Sequence, residues 1–241
     1  MSAAQWVSVV IPVFNRERFL GEAIQSVLDQ TYWPFEVIVV DDGSTDDSVT
    51  IARSFPAVCV IEQQHAGPSV ARNRGIAASK GEFLAFLDAD DLMPPDKLAR
   101  QIGYLNEHPV VGSVLGRQQL LLEPGVEWPK WCGISPELAQ RRPDIAQLGE
   151  APIMSMVVRA SIFEQAGGFD PSYLHGADAD WLLRARQYAP VATLDSKVLY
   201  RRVHSGNLSN DVQALRRSTF RVLRDHMRRL RAEGRSWSRS E

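Results

Sequence analysis

The sequence predicts an α/β fold with a mostly parallel central sheet flanked by helices. Over the first hundred residues, short β-branched apolar runs alternate with segments whose apolar residues recur at helical spacing. The strand-like runs are apolar at nearly every position, as strands covered on both faces must be. Three of the strand ends carry polar residues, and in open α/β sheets ligands bind beyond the carboxyl ends of the strands.

Each element can be justified in turn. Val7-Ser8-Val9-Val10-Ile11-Pro12 reads as a buried strand stopped by Pro12. Leu20, Ala23, Ile24, Val27 and Leu28 then mark a helix. Glu36 to Val40 is a second strand and runs into Asp41-Asp42-Gly43-Ser44, where Ser44 and Asp47 suggest a capping box. Val58 to Ile61 is a third strand, Ser69 to Ser79 a helix, and Phe83 to Leu87 a fourth strand. Leu98, Ile102 and Leu105 mark a helix after Pro94-Pro95.

Residues 116–152 read differently, with Trp128, Trp131, several prolines and little periodicity, as in a long excursion. Order returns with a strand at Ser155 to Val158, a helix through Ile162 and Phe163, and the Gly167-Gly168 turn. A helix from Ala179 to Tyr188 and a strand at Val198 to Tyr200 follow. We read residues 1–210 as one domain and 211–241 as a basic, amphipathic helical tail, its apolar side carrying Leu215, Phe220, Val222, Leu223, Met227 and Leu230.

The bulk numbers exclude several classes. The chain has 241 residues, 44% of them hydrophobic, enough for a full core without disulfides or metal staples. Its formal net charge of −2 argues against a nucleic-acid binder. Cys59 and Cys132 fit no zinc or redox spacing and read as free thiols. No apolar stretch approaches the roughly 20 residues of a membrane helix. The N-terminus does not read as a signal peptide, so the expected location is the cytoplasm.

Asp88-Ala89-Asp90-Asp91 follows the fourth apolar strand. Carboxylates clustered there suit a hard divalent cation such as Mn2+ or Mg2+, which takes oxygen ligands and keeps positions open for substrate phosphates. Capping of the next helix explains one of these aspartates, Asp91, but not three. Asp41-Asp42-Gly43-Ser44 fits either turn chemistry or a carboxylate that accepts from a base N–H or a ribose hydroxyl.

Taken together, Val7 to Asn15, Asp41 to Asp46, Ala71-Arg72-Asn73-Arg74-Gly75 and Asp88 to Asp91 resemble family 2 glycosyltransferases, whose fold is the GT-A type. The resemblance runs on through Gly167-Gly168-Phe169-Asp170 and Asp178 to about His204 and is weakest over 116–152. It implies an inverting enzyme that uses a nucleotide diphosphate sugar, most simply a UDP-hexose or UDP-N-acetylhexosamine. It also implies that Pro12, Phe14 and Asn15 line the nucleoside pocket, with Asp42 on the base and Arg72 beside the nucleotide. Asp88, with Ala89 next to it, falls on the ribose side, and Asp90 ligates the metal. His204, in the run Tyr200 to Asn207, fits either a metal ligand or a turn histidine on the surface. His65 falls in a loop over the nucleotide.

The family's base is the second residue of a Glu-Asp pair, which here is Ala177-Asp178, so Asp178 inherits the role and Asp180 is its competitor. A carboxylate in the first turn of a helix is favoured in its charged form and can take the acceptor's proton. Residues 116–152 would form the variable, acceptor-side region, with Trp128 and Trp131 as candidates to face the acceptor. His108 and His226 read as solvated surface, and Trp181 as core. A nucleotidyltransferase would carry a Gly-rich, basic loop where this chain has Pro12-Val13-Phe14-Asn15. A non-catalytic nucleotide-sugar-binding scaffold would keep the pocket and lose the base. The arginine-rich tail fits either packing against the domain or contact with a membrane surface or partner.

Overall fold

The computed structural model of the chain describes residues 5–132 and 153–234. Its centre is a seven-stranded sheet ordered β3-β2-β1-β4-β6-β5-β7. The strands are β1 (Val7–Val13), β2 (Phe35–Asp41), β3 (Val58–Glu62), β4 (Phe83–Phe86), β5 (Ser113–Leu122), β6 (Val157–Arg159) and β7 (Val191–Val203). Six of them share one direction, and the short β6 runs antiparallel to both β4 and β5. The helices are α1 (Glu17–Leu28), α2 (Ser48–Arg53), α3 (Pro68–Ala78), α4 (Lys97–Glu107), α5 (Ala160–Ala166), α6 (Ala177–Ala185) and α7 (Val212–Ala232).

The apolar runs explain the centre of the sheet. Every residue of β1 and β4 is buried, as expected where both faces are covered. Helix α1 turns Phe19, Leu20, Ala23, Ile24 and Val27 onto the core. Helix α3 lies so close to β1 that a Cβ on Gly75 would stand 2.3 Å from Val10. Trp181 is fully buried, stacked on Phe163 at 4.2 Å, and its indole N–H donates to the Gly167 carbonyl at 2.9 Å.

Several expectations change. The excursion expected from residue 116 begins later, because β5 continues through Leu122 as the partner of β7. Residues 133–152 of that region lie outside the described residues. The strand expected at Ser155 to Val158 is a 3-10 turn, Ile153–Ser155, followed by β6 two residues on. There is no Ser44–Asp47 capping box. Ser44 instead accepts from the Asn15 N–H at 2.9 Å, and Asp46 takes the Ser48 N–H at the start of α2 at 3.0 Å.

Asp91 does not cap α4. It is buried and accepts the backbone N–H of Arg202 at 2.8 Å, beside a two-way backbone bridge between Leu92 and Tyr200. That bridge brings the chain after β4 onto the end of β7. In the tail helix, His226 is buried with Val222 and Leu230, while Phe220 points outward and is 74% exposed.

Candidate functional site

Along the carboxyl ends of β2, β1 and β4, the side chains form one connected line. It starts at Asp42, whose carboxylate is wholly engaged by the loop after β3. Gln63 donates to it at 2.7 Å, the backbone N–H groups of Ala66 and Gly67 at 2.9 and 2.8 Å, and the His65 ring lies at 2.9 Å. Asp42 thus shapes the loop as well as facing it. The His65 ring stacks on Phe14 at 4.1 Å. Pro12 is buried at the end of β1 opposite Val40. Asn15 follows with a positive φ of 50°, a conformation held because its side-chain oxygen accepts the Thr45 N–H at 2.8 Å.

Next comes Arg16, which the sequence did not single out. Its Nε donates to Asp90 at 3.1 Å, and its other nitrogens reach the carbonyls of Asn15 and Gly206 at 3.0 and 3.3 Å. His204 completes this corner, with Nε2 3.0 Å from the same Asp90 oxygen. The Gly206 N–H points at His204 Nδ1 from 3.1 Å, so Nδ1 accepts and a neutral ring carries its proton on Nε2, towards Asp90. As hydrogen-bonded here, His204 is a donor to Asp90.

Asp88, Asp90 and Asp91 each bring one carboxylate oxygen within 4.8 Å of the others, and Ala89 between them is buried. Burial pushes Asp90 up, but the hydrogen bond from His204 and the charge of Arg16 outweigh it and hold its pKa below the usual carboxylate value. Burial and the charges of its two neighbours push Asp91 well up. Asp88 is also raised, by burial first and then by Asp90 and Asp178, against the opposing pull of Arg72. An all-oxygen set of three carboxylates this close together fits a hard divalent cation. Asp88, Asp90 and Asp91 would hold it, with His204 alongside.

The line ends at Arg72, which is almost wholly buried. Its guanidinium donates to Asp88 at 2.7 Å and lies 3.9 Å from Asp178. Its ring-side neighbour is Phe169 at 5.8 Å. Burial works against the charge on Arg72, and the two aspartates outweigh it and raise its pKa. Asp178 sits in the first turn of α6 behind Gly176, whose φ of 77° lets the helix start there. Its second oxygen is 3.4 Å from the Ile153 N–H.

Asp180 faces the other way. It is fully buried between Arg184, at 3.0 Å, and Arg229 of α7. Asn73, one residue after Arg72, ties α3 to the turn before α6 through two bonds with the Phe169 backbone, both 2.8 Å. A Cβ on Gly168 would fall 2.5 Å from that amide, which explains the glycine. Trp131 stacks under the Arg201 guanidinium at 4.2 Å. Arg202 reaches away from the acidic cluster, to Glu22 at 2.8 Å.

The sequence therefore identified the aspartates, Phe14, Asn15, Arg72 and His204, which the fold brings into one line. It missed Arg16, Gln63, Asn73 and Arg229. Only Asn73 lies inside a family-like run, Ala71 to Gly75; the others have no local signal.

The chain is similar to known proteins. An uncharacterized glycosyltransferase of Nostoc sp. (strain PCC 7120) is 32% identical over 217 residues, 83% of this chain and 66% of that one. The chain spans 17% to 66% of the length of the curated relatives it matches. Among solved structures, the mannosyltransferase PcManGT of Pyrobaculum calidifontis, in complex with GDP-Man and Mn2+, superposes with a TM-score of 0.71 at 20% identity. That match covers 92% of this chain and 65% of the other. Staphylococcus aureus TarS 1-349 with UDP-GlcNAc gives 0.70 at 20% identity over 90% and 65%. The fold is thus the GT-A type. Residues 8–165 match glycosyl transferase family 2, and the chain belongs to that family.

Proposed function

We propose that this chain transfers a sugar from a nucleotide diphosphate sugar to an acceptor hydroxyl, with inversion at the anomeric carbon and Asp178 as base. The observation that carries the reading is the position of Asp178. It is the one carboxylate of α6 turned towards Arg72 and the acidic cluster, while its competitor Asp180 is buried in ion pairs. Family membership supports the reaction class. The similar folds whose structures contain UDP-GlcNAc, or GDP-Man with Mn2+, support a nucleotide sugar as donor.

In this reading Phe14 and His65 provide the stacking surface for a base, and Asp42 accepts a base N–H in exchange for the Gln63 side chain. Arg72 holds Asp88 and Asp178 in a fixed relation. The acceptor hydroxyl gives its proton to Asp178 as its oxygen bonds to the anomeric carbon, and the diphosphate departs with the electrons of the old bond. A divalent cation held by Asp88, Asp90 and Asp91, Mn2+ or Mg2+, would stabilise the charge on that leaving group. The donor of choice is a UDP-hexose or UDP-N-acetylhexosamine, and the acceptor side falls to residues 116–152.

The test uses nucleotide sugars in a thermal-shift series with and without Mn2+, followed by donor turnover. Ligand binding should raise the melting temperature. Asp178→Asn should keep that shift and lose turnover, whereas Asp180→Asn should lower stability. If wild type and Asp178→Asn turn over a donor equally, Asp178 is not the base. If both bind and neither turns over, the chain is a nucleotide-sugar-binding protein.

A further inference from the structure

Helix α7 has two faces with different tasks. Its inner face is spent on the fold. Val222 and Leu230 are buried, Arg229 pairs with Asp180 of α6, and Asp225 accepts the Tyr173 hydroxyl at 2.9 Å. The outer face carries Arg217, Phe220, Arg224, Arg228 and Arg231, at spacings of three or four, so they form one stripe along the helix. Asp225 at its border pairs with Arg224 at 3.0 Å and Arg228 at 3.6 Å, and the stripe still carries a net positive charge from its four arginines. Seven arginines and one aspartate give the helix a formal +6 in a chain of net −2, which leaves −8 on the rest.

We propose that this outer face docks on an anionic phospholipid surface. Charge alone would suit any polyanion, and the apolar edge selects among them. Phe220, the most exposed residue of its class in the helix at 74%, stands among arginines and not over the core. Leu223 and Met227, three and seven residues on, are partly exposed beside it. A cationic stripe bordered by an apolar edge is what a helix lying in a membrane interface presents, with arginines at the headgroups and the aromatic ring below them. The stripe is straight and about 21 Å long from Arg217 to Arg231 at 1.5 Å per residue, so a flat surface can meet all of it at once. Among the described residues no helix is long and apolar enough to cross a membrane. The inference does not depend on the transferase reading.

The full chain is sedimented with vesicles of phosphatidylcholine alone and of phosphatidylcholine mixed with phosphatidylglycerol, at physiological ionic strength. Wild type should partition onto the anionic vesicles and not the neutral ones. Arg217→Glu/Arg231→Glu leaves the Asp225–Tyr173 and Asp180–Arg229 contacts in place. It should keep its circular dichroism and thermal melt and lose partitioning by roughly tenfold or more. Phe220→Ser should lose several-fold while keeping its salt dependence. Absence of binding to anionic vesicles, equal binding to neutral ones, or equal binding by the charge-reversed variant would overturn the proposal. Undiminished binding by Phe220→Ser, or binding to heparin without binding to vesicles, would remove lipid as the partner.

Discussion

The guanidinium of Arg72 stands between Asp88, at 2.7 Å, and Asp178, at 3.9 Å. One planar cation thus links the end of β4 to the first turn of α6, and nearly all of it is out of solvent. A point charge on a flexible stem does not reproduce a fork with two directed edges. Arg72→Lys is expected to keep the bond to Asp88 and release Asp178, lowering turnover by about a hundredfold with little change in nucleotide affinity. Arg72→Met removes both and leaves Asp88 in a poorly solvated place, so it should also lose about 1.5–3 kcal/mol of stability. Paired denaturant melts and donor turnover of the two variants separate these effects.

Arg16 occupies one oxygen of Asp90, a residue that would hold the cation. While it is there, it blocks that lone pair and repels a second positive charge. Arg16→Gln should therefore bind Mn2+ more tightly than wild type in the absence of nucleotide, by roughly tenfold, which corresponds to about 1.4 kcal/mol. The readout is free Mn2+ by electron paramagnetic resonance, which needs no turnover. Equal affinities would mean that Arg16 leaves Asp90 at no cost.

These residues show what a sequence can carry. β1, β2 and β4 are readable because burial on both faces makes them nearly continuous apolar runs. β5 is not, because Gly116-Arg117-Gln118-Gln119 interrupts it and the ladder to β7 slips between Leu115 and Gln118, which breaks the alternation of faces. The aspartates are readable because chemistry concentrates them within a few positions. Arg16, Gln63 and Arg229 are not, because each meets its aspartate across 74, 21 or 49 residues of chain. Nothing near them in sequence marks the contact.

Lys97 gives a pH-dependent test of the support beneath the site. It is wholly buried at the start of α4, and its ammonium donates to the Met154 carbonyl at 2.7 Å. Met154 belongs to the turn whose Ile153 N–H meets Asp178. Burial pushes the Lys97 pKa from 10.5 down to about 7. Between about pH 7 and 10.5 the unfolded chain therefore binds the extra proton, and the stability contributed at this position rises with pH across that window. Below it the folded state must carry a buried charge. Lys97→Met should accordingly be the more stable protein below about pH 7, by on the order of a few kcal/mol, with the advantage shrinking as pH rises towards 10. A difference between the two proteins that is flat with pH would show that the amine is not strained in the fold.

Asp180 and Arg229 join the active-site helix to the tail helix. Asp180 has no solvent exposure and two guanidinium partners, so removing one leaves a buried charge only half compensated. Arg229→Ala is expected to cost about 1–3 kcal/mol, less than the loss of a sole partner because Arg184 remains. Asp180→Asn should also destabilise, and the double variant should fall well short of the sum, since both changes remove the same pair. The consequence for function follows from position. Asp180 lies two residues after Asp178 on a nine-residue helix, and α7 is what holds the far side of that helix against Tyr173 and Val222. Loosening the clamp should therefore lower turnover at temperatures well below the melt, while the thermal shift given by UDP and Mn2+ is kept, because the nucleotide-side residues lie at the end of β1 and in the loops after β1, β2 and β3. Full turnover by a folded Arg229→Ala protein would show that the clamp serves stability alone.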